Sequence, residues 1–136
     1  MSVARYAATQ NAAASPREIE LRALRYVNGL LGGARDVPSR VAALHKAHRM
    51  WTILLGDLTS PGNALPPALK GNLVSLGLWA QREAMARMDD GASLAPLLAL
   101  HDDLIAGLEA QAPGQVQAQA PALAPGAAPA SIAATA

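Results

Sequence analysis

A chain of 136 residues is the size of one domain and can bury about two-thirds of the surface that its unfolded form exposes. Ala and Leu carry most of its apolar content, with no Phe and two Tyr, a bias that favours helix over strand and points to an all-α fold. A formal net charge of +1 lacks the basic excess of a protein that binds nucleic-acid backbone, and the absence of Cys excludes disulfide frameworks, thiol catalysis and thiolate metal sites.

Arg5 stands where a signal peptide would begin its apolar run and is followed by Thr9, Gln10 and Asn11, so no secretory signal is expected. No uncharged apolar run approaches the roughly 20 residues of a membrane span. The expectation is a soluble, cytoplasmic protein. Residues 2 to 14 are Ala-rich and weakly amphipathic, with Val3, Tyr6 and Ala7 on one side, which predicts a short first helix. Ser15-Pro16-Arg17-Glu18 is a capping box with Pro in the first helical position, and it starts a second helix. Its stripe runs Ile19, Ala23, Leu24, Val27, Leu30 and Leu31, and Gly32-Gly33 is expected to end it through positive φ.

Asp36 or Val37 with Pro38 opens a third helix whose stripe is Val41, Leu44, His48, Trp51, Leu55 and Leu58. It stops at Ser60-Pro61-Gly62. Pro66 or Pro67 begins a fourth helix, since Pro at an N-terminal position removes only an amide that would lack a partner anyway. Leu69, Leu73, Leu76, Ala80 and Met88 form one stripe there, while Val74, Leu78, Met85 and Trp79 spill around it, so a second side needs covering by neighbours or by a partner. Ser93 is placed to cap a fifth helix with Leu94, Leu97, Leu98, His101, Leu104, Ile105 and Leu108. Residues 112 to 136 are Ala, Pro, Gln and Gly with scattered apolar residues and no charge, which predicts a disordered tail after a helical domain over residues 1 to 111.

Catalytic and metal chemistry is not indicated. His45 and His48 lie three apart on one helix, but zinc needs four ligands, or three and an open position, and no HExxH frame is present. Asp102 and Asp103 are consecutive, so their carboxylates point about 100° apart and cannot share a proton. No GxSxG, GxGxxG or GxxxxGK[ST] frame occurs, and neither an enzyme nor a bound cofactor is expected. Arg40, His45, Lys46 and Arg49 form a modest basic strip that reads as a wet helix face or, alternatively, as a contact for RNA phosphate. The in-helix glycines Gly56, Gly71, Gly77 and Gly107 each cost about 1 kcal/mol relative to Ala, and either permit close helix approach or are simply tolerated. Both tryptophans fall in the hairpin of the third and fourth helices, where Trp is common either as core or as an interface anchor. Trp51, Leu55, Val74, Leu78 and Trp79 are therefore the candidate partner-binding residues.

The chain resembles the FlaF family of flagellar biosynthesis regulators of alphaproteobacteria. The resemblance rests on Tyr6-Ala7-Ala8; Ser15-Pro16-Arg17-Glu18-Ile19-Glu20; Met50-Trp51 with Leu54 and Asp57; Pro61-Gly62-Asn63-Ala64-Leu65-Pro66; Leu73 to Trp79; and Leu97-Leu98 to Leu108. His48 and His101 depart from a pattern that would carry Asn. The resemblance implies a cytoplasmic, non-enzymatic, all-helical protein that binds flagellin and promotes its synthesis and export as a chaperone, linked to FlbT, a regulator acting on flagellin messenger RNA. The alternative is post-transcriptional regulation through RNA directly or through such a FlbT-like partner. Phosphate contacts weaken steeply with salt, whereas an apolar groove holding an amphipathic helix is expected to respond little.

Overall fold

The computed structural model of the chain describes residues 15–111, which form four α-helices and no strand: α1 (Pro16–Gly33), α2 (Val37–Leu58), α3 (Pro67–Met88) and α4 (Ala95–Ala110). The helix expected over residues 2 to 14 and the tail expected beyond Gln111 lie outside the described residues. Local chemistry fixes most helix ends. Ser15 Oγ accepts from the Glu18 amide at 3.1 Å while Glu18 Oε1 accepts from the Ser15 amide at 3.3 Å, so the anticipated capping box forms. Asp36 does the same for α2, its carboxylate accepting from the Ser39 amide at 2.8 Å. Between α2 and α3, Asn63 Oδ1 accepts from the Leu65 amide at 3.1 Å, an Asx turn that delivers the chain to Pro66 and Pro67.

Two local expectations are corrected. Gly32 and Gly33 remain helical, and the turn is made by Ala34 in extended backbone, whose geometry leads directly to the Asp36 cap. At the start of α4, Leu94 takes the cap position; the Ser93 hydroxyl still accepts an orphan amide, that of Ala95, at 3.0 Å.

The helices run alternately up and down. Helix α2 packs most extensively against α3, α1 packs against both α2 and α4, and α3 meets α4 only along a thin seam. Leu24, Val27 and Leu31 of α1, Leu44, Ala47 and Trp51 of α2, Leu76, Ala80 and Ala84 of α3, and Leu97, Leu100 and Leu104 of α4 build one core. The buried side of α2 is turned from the expected stripe toward Ala43, Ala47 and Met50, leaving His48 and Leu55 half-buried. Arg40 reaches from α2 to the far end of α3, where its guanidinium donates to the carbonyls of Arg87 (3.4 Å), Asp90 (3.3 Å) and Ala92 (2.5 Å). It thereby satisfies acceptors that a helix end leaves unpaired.

Glu20 of α1 is half-buried beside Asp57 of α2, and burial first, then the Asp57 charge, raises its carboxyl above the usual range. A folded-state value above the unfolded one means that an ionised Glu20 opposes folding at neutral pH, with the opposition fading as pH falls through the carboxyl range. Glu20→Gln should therefore raise the melting temperature at pH 7 by a few degrees and lose its advantage near pH 4. Thermal scans at the two pH values check this, and a variant less stable than wild type at pH 7 would contradict it.

Candidate partner-binding face

The seam between α2 and α3 is closed around a single glycine. A Cβ on Gly77 would lie 2.7 Å from Leu55 Cδ2 and 2.8 Å from Trp51 Cε3, whereas Gly56 and Gly71 have nothing within 4 Å. Of these three in-helix glycines, only Gly77 is required for close approach. Next along the seam, Gln81 Nε2 donates to Thr52 Oγ1 at 2.8 Å and to the His48 carbonyl at 3.2 Å. These contacts set α2 and α3 antiparallel, with Gly77 against Leu55 and Gln81 against Thr52.

On the outward side of this hairpin, α3 leaves two large apolar side chains in water. Leu78 is 45% and Met85 52% exposed, and their seven-residue spacing puts them on one face. Half-buried Val74 precedes Leu78 by one turn on that same face. Trp51 and Leu55 lie against Gly77, on the seam beside this face. Trp51 is only 2% exposed and is not available for direct contact, and Leu55 is half-buried at the Gly77 contact. Trp79 follows Leu78 by about 100° of helix rotation and packs, half-buried, against the core from the other direction. The five candidate residues thus divide: Val74 and Leu78 share the outer face, Trp51 and Leu55 line the adjoining seam at Gly77, and Trp79 stands apart. Met85, visible in the sequence as part of the spill-over around the α3 stripe, belongs to the outer face as well. A second exposed apolar pair, Ile19 and Tyr26 on α1, is bordered by Arg22 and by an Arg25–Glu109 ion pair.

A polar chain runs from the buried core of the bundle to its surface. His101 of α4 is fully buried and stacks on Trp51, with ring centroids 6.1 Å apart. Trp51 Nε1–H donates to His101 Nε2 at 3.0 Å. An indole nitrogen can only donate, so Nε2 is unprotonated and the proton sits on Nδ1, which donates to Asn28 Oδ1 at 3.1 Å. Asn28 Nδ2 in turn donates to Asp102 Oδ1 at 2.7 Å. Burial lowers the His101 pKa to about 4, which keeps the ring neutral. His45 and His48, three apart on α2, are exposed and half-buried respectively. Among the described residues no three His, Cys, Asp or Glu side chains gather as a metal site would need. The basic strip is shortened, since Arg40 is committed to the end of α3.

Such an arrangement defines an all-helical bundle whose distinguishing surface is an apolar face on a rigid two-helix hairpin. Residues 2–108 match the profile of the family described as Flagellar protein FlaF, and the chain belongs to that family. No match is found among curated proteins or among solved structures. No described helix is long and apolar enough to cross a membrane.

Proposed function

We propose that this protein binds flagellin in the cytoplasm and escorts it to export, and that its effect on flagellin synthesis follows from that binding. The observation that carries the reading is the pair Leu78 and Met85, held in water on one side of α3 over a seam that Gly77, Trp51 and Leu55 make rigid. An amphipathic terminal helix of unassembled flagellin is the kind of segment that such a face accepts, with anchors at helical spacing on both partners. Ordering a disordered segment costs roughly 2 to 5 kcal/mol, and one large buried apolar side chain contributes about 1.5 to 3 kcal/mol. Several anchors must engage, and Val74, Leu78 and Met85 supply three in line. The α1 pair Ile19 and Tyr26 lacks such a row and sits among mixed charges. Direct RNA contact through the α2 strip is less supported once Arg40 is committed elsewhere.

Calorimetric titration of purified monomeric flagellin tests the reading. Leu78→Asp and Met85→Asp should each weaken binding by about 1 kcal/mol or more, because a charge is forced into the contact, while leaving thermal unfolding near that of the wild type. Val74 is half-buried and is better probed as Val74→Ala. Full flagellin affinity in both folded Asp variants would exclude this face. A wild-type protein that fails to bind flagellin would exclude the chaperone role altogether.

A further inference from the structure

The charges on the hairpin are segregated in a way that its apolar residues do not require. From Val37 through Gly56 and from Pro67 through Arg82 there is no Asp or Glu, although these stretches carry Arg40, His45, Lys46, Arg49, Lys70 and Arg82. The single acid between them, Asp57, is turned toward Glu20 of α1 and accepts from Asn63. Next along α3, Glu83 is half-buried in an ion pair with Arg87. By contrast α4 holds Asp102, Asp103 and Glu109 and no Lys or Arg.

Arg49, Lys46 and Arg82 are all exposed, and among the described residues none of them makes an ion pair. Arg82 lies one turn from both Leu78 and Met85 and so borders the α3 stripe. Arg49 lies one turn from Thr52, which Gln81 ties to the same seam, and one turn from exposed Ile53. The apolar row is therefore flanked by cations on the two sides of the seam, with no carboxylate among them.

We infer that the segment docked on this face is an amphipathic helix with carboxylates on both flanks of its apolar stripe, paired with Arg49 along α2 and with Arg82 along α3. This rests on the flagellin-binding reading and adds the chemistry of the bound segment. Like charges across an interface are strongly penalised, so a basic rim rejects cationic amphipathic helices as well as attracting acidic ones. Binding is then salt-sensitive, contrary to what an apolar groove by itself would give, because exposed ion pairs are screened within a Debye length.

The test is a titration of purified flagellin into wild type, Arg49→Glu with Arg82→Glu, and Leu78→Asp, each at 50 and 500 mM NaCl, with circular dichroism melts to confirm folding. Raising the salt should weaken wild-type binding about tenfold, the size expected of two exposed pairs. The charge-reversed protein should bind at low salt no better than wild type does at high salt, and should be nearly indifferent to salt. Leu78→Asp should be weak at both. Equal wild-type affinity at both salts, together with unchanged affinity after charge reversal while Leu78→Asp binds weakly, would overturn the acidic-segment inference and leave the apolar face standing. No binding by any protein would overturn both. Charge reversal that abolishes binding of an RNA oligonucleotide but leaves flagellin affinity intact would assign the rim to RNA and also overturn the inference, as would salt-dependent self-association of the wild type through its α4 carboxylates, seen by light scattering.

Discussion

Lowering the pH from 7 to 4 is expected to remove about 3 kcal/mol of stability through His101 alone. The ring is neutral in the fold, with a pKa near 4, against 6.5 for the free side chain. Between those values the unfolded chain binds a proton that the folded one refuses, so the His101 contribution is fully present above about pH 6.5 and is lost as pH falls toward 4. At about 1.4 kcal/mol per pKa unit the full gap is worth about 3.5 kcal/mol, and at pH 4, where the folded ring is itself half protonated, about 3 kcal/mol of this has been lost. The structural cause is specific: a protonated Nε2 would face the Trp51 indole N–H, donor against donor, inside the core. Nitrogen NMR of the ring should report the Nδ1–H tautomer at pH 7 and no ordinary titration near 6.5. Removing the indole donor by Trp51→Phe should destabilise the protein by roughly 1 to 3 kcal/mol, since a buried acceptor is left without its partner. A His101 that titrates normally, or stability that is flat from pH 7 to 5, would refute the assignment.

Gly77→Ala is expected to destabilise the protein although it improves helix propensity. Elsewhere in a helix the exchange gains about 1 kcal/mol. Here the new methyl would press on Leu55, which can yield, and on the buried ring of Trp51, which cannot move without stretching its bond to His101. Overpacking of this kind costs about 1 to 3 kcal/mol, so the net change should lower the melting temperature. Gly56→Ala and Gly71→Ala meet nothing within 4 Å and should be neutral or stabilising. Thermal melts of the three variants side by side separate space from propensity. If Gly77→Ala were as favourable as the other two, the seam would be looser than described. Because Trp51 is shared, Gly77→Ala should also disturb the His101 tautomer signal, linking the outer face to the buried chain.

The helices and their starts are set by residues within about four positions of each end, which is why they are legible in the sequence. The Ser15–Glu18 box, the Asp36 cap and the prolines at 66 and 67 act through bonds and dihedral limits that need no distant partner. Periodicity likewise revealed that α3 carries more apolar residues than one neighbour can cover. What periodicity lacks is the rotation of the neighbouring helix, and that decided everything about the site. Whether Leu78 or Trp79 would face water depended on where the neighbouring helices lie, and α2 buries Ala43, Ala47 and Met50 in place of the full expected stripe. His101 meets Trp51 across 50 positions of chain, and Arg40 meets Arg87 across 47, so neither the buried ring nor the lost member of the basic strip leaves any local trace. The glycine that matters resembles Gly56 and Gly71 until the ring of Trp51 is placed 2.8 Å from where its Cβ would be. Local bonding determined which segments are helical; only packing between helices determined which side chains were left over to bind.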